Sequence, residues 1–300
     1  MTPERREPAP SDPAAPDPAP FLSGDAGDVT DPWRRAKRIA GELVFDAIDT
    51  LAGTRRAAAR LARSAPPRDI LVTGVYRPGS ELAANLPTLH SQTHDVRLAF
   101  GAMGASDGLE PHTVAHDLTG GKFENLNRVL AAAAPAPAAD FDWLLVIDDD
   151  VRLPGGFLDR FVAVCEAFRL DLAQPAQTLR SHSAWKVTRR RPASLVRETR
   201  FVEIGPVTAF SRRAAAELLP FPGLRYGWGL DLHWAAAAGR RGWRLGVVDA
   251  VPVRHETGVV GASYPRGEAE SEAASFLAGR EYLPSAQAGD VLATHRRASG

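Results

Sequence analysis

Asp148, Asp149 and Asp150 are three consecutive carboxylates at the end of the apolar run Trp143-Leu144-Leu145-Val146-Ile147. The run is short, uninterrupted and rich in branched side chains, which predicts a buried strand. Adjacent carboxylates repel, and a carboxylate at the mouth of an apolar strand is costly to leave unpaired. The triplet therefore calls for a cation or a water-filled cleft. A divalent metal carrying phosphates meets that demand, because Mn2+ or Mg2+ accepts protein carboxylates and leaves positions open for phosphate oxygens. Ligands of open α/β sheets also gather beyond the carboxyl ends of the strands, where this triplet lies. The competing reading is a solvated acidic turn ahead of Pro154-Gly155-Gly156.

Strand and helix alternate around the triplet. A strand is expected over 69–75, a helix over 81–89, a strand over 96–100, a short strand over 114–117, a helix over 122–134, and then the aspartate strand. That spacing is the spacing of right-handed βαβ units, so the fold class is α/β, a doubly wound and mostly parallel sheet flanked by helices. Beyond the triplet we expect a helix over 157–168, a strand over 171–174, one or two strands over 201–210, helices over 212–219 and 230–240, and a strand over 243–248 that runs towards His255. Residues 176–200 are polar and basic without clear period and read as a loop over the cleft.

The flanks differ in composition from this middle. Residues 1–30 repeat Pro, Ala, Asp and Glu and cannot repay the entropy of ordering, which predicts a disordered leader. Residues 31–65 form an amphipathic helical segment, with Ile39, Leu43, Val44, Ala47, Ile48 and Leu51 at helical spacing between two basic clusters. It has three possible uses: packing on the domain, pairing with a partner, or lying on an anionic membrane surface as a peripheral contact. The catalytic-type domain is expected over 66–261, and 262–300, small and polar, as a weakly ordered tail.

With 36 basic against 36 acidic residues, the formal charge is zero, and no global field calls for nucleic acid. One cysteine, Cys165, excludes an internal disulfide framework and a multi-cysteine metal site. No window has the length of a signal core or a membrane span, so the expected location is cytoplasmic. The arginine- and alanine-rich composition points to a GC-rich bacterial source.

The order of motifs resembles the GT-A glycosyltransferases, closest to the family 2 group. Gly121-Lys122-Phe123-Glu124-Asn125-Leu126-Asn127 followed by Trp143–Asp150 is similar to that family's glycine and asparagine helix and its DxD strand. Val207–Arg213 resembles the strand and helix behind its acceptor site, Gly227–Trp234 its acidic acceptor-side motif, and Gly242–His255 its closing strand and terminal histidine. The likeness spans about residues 69–258.

That resemblance implies a metal-dependent transfer from a nucleotide sugar, a UDP-sugar, to a hydroxyl acceptor that is a saccharide, a lipid-linked acceptor or a small molecule. It implies Mn2+ or Mg2+ held by Asp150, Asp148 and His255, with Asp148 and Asp149 also facing the nucleotide. It places Asp231 as the general base of an inverting reaction, although Leu230 stands where many relatives carry a second acid. An N-cap role for Asp231 remains the alternative. Thr73, Tyr76 and Arg77 end the strand that would hold the nucleobase, Tyr76 by stacking or by facing the core. Lys122 and Asn125 reach towards the nucleotide or cap and solvate their helix. Trp228 offers a face to a sugar ring, and His182 with Arg189-Arg190-Arg191 either guards the diphosphate or forms a solvated face. The chain lacks the Gln-x-x-Arg-Trp signature of processive synthases, so a single transfer is expected. A nucleotidyltransferase on a related sheet and a non-catalytic sugar-binding scaffold are the rival readings.

Overall fold

The computed structural model describes residues 32–133, 140–181, 183–256 and 265–298. The expected leader, His182, and the Thr257-Gly258 pair beyond His255 lie outside the described residues. The described residues contain ten strands: β1 (Asp69–Tyr76), β2 (Asp95–Ala102), β3 (Thr113–Ala115), β4 (Trp143–Ile147), β5 (Val151–Arg152), β6 (Leu172–Gln177), β7 (Val196–Thr199), β8 (Val207–Ser211), β9 (Leu245–His255) and β10 (Val291–His295). Among the described residues eight α-helices accompany them: α1 (Pro32–Ala52), α2 (Thr54–Ser64), α3 (Leu82–Leu89), α4 (Lys122–Ala133), α5 (Phe157–Ala167), α6 (Arg212–Leu218), α7 (Leu230–Arg241) and α8 (Arg266–Leu277).

The strands form one central sheet in the order β10-β7-β9-β6-β8-β4-β1-β2-β3, with the short β5 on the far end of β9. β3, β2, β1 and β4 are parallel. Further along, β8 and β7 run against the rest, so the sheet is mostly parallel in strand direction, as expected.

The central strands are apolar on both sides because both faces are covered. Ile70, Val72, Trp143, Leu145 and Ile147 join a core under α2, α3 and α5. Leu71, Leu144 and Val146 alternate onto the other face, under α4, α6, α7 and α8. Cys165 is a core residue of α5, and burial pushes its thiol pKa well up.

Three expectations change. The basic segment 176–200 is not a loop throughout: Val196–Thr199 is an interior strand between β9 and β10. Its Arg197 is fully buried against Asp249, with Nε and Nη2 each 2.9 Å from a carboxylate oxygen. A charged side chain hid this strand because burial of the pair depends on a residue 52 positions away. Secondly, the described part of the expected tail, 265–298, is folded: α8 buries Ala269, Ala273, Phe276 and Leu277, and β10 extends the sheet. Small alanines pack closely where they look weakly apolar in sequence.

Thirdly, the amphipathic segment from Pro32 to Ser64 is two helices, broken at Gly53 in the left-handed region (φ 70°). α1 packs through its acidic stripe, not its apolar one. Arg190 carries a fully buried side chain that pairs with Glu42, Asp46 and Asp49 of α1. Glu42 and Asp49 also accept the backbone N–H groups of Leu179 and Ala193, each at 2.7 Å. The arginine run thus anchors a helix and does not line the cleft.

Candidate active site

The carboxyl ends of β1, β4 and β9 meet in a cleft of about 500 Å³, walled by the 203–205 segment and the loop before α7. Each aspartate of the triplet has its own cationic neighbour. Asp149 takes a forked pair from Arg77, with Nε to Oδ2 at 2.9 Å and Nη2 to Oδ1 at 2.8 Å, plus the Arg77 backbone N–H at 3.0 Å. Asp148 Oδ1 lies 2.5 Å from Lys122 Nζ. Asp150 Oδ1 lies 3.0 Å from His255 Nε2. Part of the charge demand of the triplet is therefore met by side chains.

Backbone hydrogen bonds fix the triplet. Asp148 N–H donates to Pro206 O at 2.8 Å, while Asp149 O and Asp150 O accept from Glu81 and Glu256, both at 2.9 Å. His255 reaches Asp150 because β5 pairs with the end of β9 in the register Val151 to His255. Gly205 permits close approach on the other side: a Cβ there would sit 2.5 Å from Asp148 Oδ2.

The far wall carries two acids, the buried Asp231 and the half-buried Glu203. Asp231 stands in the first turn of α7, whose N-cap is Gly229, so the capping alternative for Asp231 is not the observed arrangement. Its Oδ1 accepts the Leu232 N–H at 2.9 Å. Burial raises its pKa to about 7, against the opposing pull of the Leu232 N–H. Glu203, which the sequence reading passed over, accepts from Gln177 Nε2 at 3.0 Å. Burial first, and then the charge of Asp231, push its pKa to about 8. A signal was present: Glu203 is an acid between apolar neighbours just ahead of Gly205-Pro206, the same pattern as the triplet.

Burial also raises the Asp148 pKa, with the Lys122 charge opposing it. Burial acts on Asp150 in the same sense, but His255 outweighs it and holds the pKa low. For His255, burial disfavours the imidazolium, yet Asp150 and the nearby Asp148 and Glu203 charges leave the pKa above its usual value.

No protein-family model and no curated protein matches the chain. Among solved structures it is similar to the crystal structure of GalNAc-T7 with UDP, GalNAc and Mn2+. That likeness has 12% identity and a TM-score of 0.48 over 70% of this chain and 48% of the other, so this chain spans about half that protein's length. At this identity and score the likeness bears on neither substrate nor mechanism.

A metal ion can be tested against the site itself. One ligand atom each from Asp148, Asp150 and His255 lie within 4.8 Å of one another. Asp150 Oδ1 and His255 Nε2, 3.0 Å apart, both belong to this group, so a cation taken by the two atoms would replace their own contact. Two carboxylates and one imidazole suit a hard-to-borderline divalent ion such as Mn2+. The residues fit the group.

Not every expected residue reaches the cleft. Arg77, Lys122, Asp148, Asp149, Asp150, Trp228, Asp231 and His255 line it together. Thr73, Tyr76 and Asn125 do not, and here the sequence expectation is corrected. Tyr76 is buried in the core with its hydroxyl 2.6 Å from Thr113 Oγ1. Thr73 and Asn125 are fully buried, and Asn125 Oδ1 accepts from Arg128. Strand alternation turns Tyr76 inward and leaves Val75 and Arg77 to the cleft.

The loop before α7 is shaped by the C-terminal helix. Glu272 of α8 accepts the backbone N–H groups of Arg225, Tyr226 and Gly227 at 2.7, 2.8 and 3.0 Å. Gly227 has φ 78°, and a Cβ there would meet the Phe123 ring at 2.0 Å. No other residue fits that turn without displacing α4.

Proposed function

We propose that this chain is a metal-dependent glycosyltransferase of the GT-A type, family 2-like, that moves one sugar from a nucleotide sugar, a UDP-sugar, to a hydroxyl acceptor with inversion. The observation that carries the reading is the convergence of the Asp148, Asp150 and His255 ligand group with the buried base candidate Asp231 in one cleft at the carboxyl ends of the strands.

In the reaction the acceptor oxygen bonds to the anomeric carbon as the bond from that carbon to the diphosphate oxygen breaks, through an oxocarbenium-like transition state. Asp231 takes the acceptor proton. A carboxylate with a pKa near 7 is a competent base at neutral pH, being half ionised and basic enough to hold the proton. Arg77 and Lys122 place positive charge beside the departing diphosphate, and their partners Asp149 and Asp148 keep them aimed at the cleft. Trp228 supplies an apolar wall for the sugar. When bound at Asp148, Asp150 and His255, a divalent ion supplies Lewis-acid stabilisation of the charge that collects on the diphosphate.

The test is a thermal-shift titration with UDP and a panel of nucleotide sugars, with and without Mn2+, on the native chain and on Asp150→Ala. A nucleotide at a hundred times its dissociation constant stabilises by about 2.7 kcal/mol. Mn2+-dependent stabilisation that vanishes in Asp150→Ala is the expected result. Absence of stabilisation by any nucleotide would overturn the reading.

A further inference from the structure

Because α1 docks through Glu42, Asp46 and Asp49, its opposite side has no cover among the described residues. Leu43 is 66% exposed, Val44 56%, Ile48 37% and Leu51 89%. The apolar stripe that would ordinarily be buried faces outward along a helix of 21 residues. At its carboxyl end, beside Leu51, lies a cavity of about 590 Å³ that begins at Ala52 and Gly53 and is lined by Arg56, Arg60, Arg296 and Arg297. None of the four arginines has an acidic partner among the described residues. Four like charges around one cavity repel unless an anion enters it.

We propose that this face is a docking surface for an anionic lipid bilayer, with the apolar side of α1 in the headgroup boundary and a lipid phosphate in the arginine-lined cavity. The combination of an outward apolar stripe, a polar docked face and flanking arginines is that of a helix lying in a membrane interface. No described helix is long and apolar enough to cross a membrane, so the contact is peripheral. Charge complementarity selects this occupant: a second copy would bring its own four arginines to the same face, whereas an anionic leaflet attracts them. The proposal does not depend on the chemistry assigned to the cleft, and its readout needs no sugar donor.

The experiment is sedimentation of the full chain with vesicles of phosphatidylcholine, or of phosphatidylcholine mixed with phosphatidylglycerol, at low and high salt. Binding to the mixed vesicles alone, weakened by salt, is expected. Arg56→Gln with Arg60→Gln lowers the partition by about 25-fold, near fivefold for each charge removed. Leu43→Ser with Leu51→Ser lowers it while the far-UV spectrum and melting temperature stay unchanged, since both side chains are exposed. Arg266→Gln, an exposed change on α8, leaves it as it was. Equal binding to neutral and anionic vesicles, or indifference to the arginine pair, would overturn the proposal. So would saturable binding of inorganic phosphate without vesicle association, or a dimer in sedimentation velocity that Leu43→Ser dissolves without vesicle association.

Discussion

At the scale of single residues, the cleft divides its acids by environment. Asp149 is satisfied by a forked arginine and is a positioning group for Arg77. Asp150 is paired with His255, Oδ1 to Nε2 at 3.0 Å, and both atoms belong to the ligand group. Burial raises the pKa of Asp231 to about 7 and that of Glu203 to about 8, and the charge of Asp231 adds to the Glu203 shift. In the proposed reaction only Asp231 takes the acceptor proton. Asp231→Asn is expected to lower kcat by about 10²- to 10⁴-fold, the usual contribution of a general base. Its Mn2+-dependent stabilisation by UDP should be retained, because the ligand group is untouched. Steady-state kinetics beside the thermal shift separates the two. A variant that kept full kcat would remove Asp231 from the base role.

At the scale of elements, the largest departure from expectation is α1. Its hydrophobic stripe suggested the face by which it packs, yet three carboxylates at positions 42, 46 and 49 satisfy Arg190, whose side chain is fully buried. A buried guanidinium needs its partners, and the partners in turn need it. Arg190→Leu leaves Asp49 buried without its charge partner, so α1 should detach at a cost of about 3–5 kcal/mol to its docking. Hydrogen exchange should then show loss of protection in Pro32–Ala52 while β1 and β4 keep theirs. Unchanged protection in α1 would show that contacts other than Arg190 hold it. The C-terminal helix α8 teaches the same lesson in reverse. Its alanines and Glu272 looked like a polar tail, but Glu272 organises the loop that walls the cleft.

At the scale of the whole molecule, the buried acids tie stability to pH. Glu203 has its pKa raised from an ordinary 4.5 to about 8, and Asp231 from 3.8 to about 7. In both, the native state keeps a proton that the unfolded chain has lost over that window. The stabilisation is complete below the unfolded pKa and is lost as pH rises towards the folded one. Each group contributes about 1.4 kcal/mol per pH unit within its window. Urea denaturation of the metal-free protein should therefore give a stability that falls as pH is raised from about 5 to 7. Glu203→Gln should flatten that fall. A slope equal to that of the native chain would mean that Glu203 is ionised in the fold.

The sequence by itself determined the α/β class, the alternation of the first four strands with their helices, and the placement of the aspartate triplet at a strand end. Those follow from local periodicity and from the cost of placing carboxylates beside an apolar run, both of which are legible over a few residues. Residue type and order single out Asp148, Asp150, Asp231 and His255, and the fold brings them to one cleft. Only the tertiary structure decided which way Tyr76 and Arg77 point, that Glu203 shares the cleft, and that Arg190 and Arg197 are buried ion-pair partners. It also decided that the segment 265–298 extends the sheet and shapes the loop before α7. The physical reason is common to these cases: whether a charge or a small residue is buried depends on a partner far away in sequence. Glu42 is 148 positions from Arg190, and Asp249 is 52 from Arg197. No local pattern carries that information.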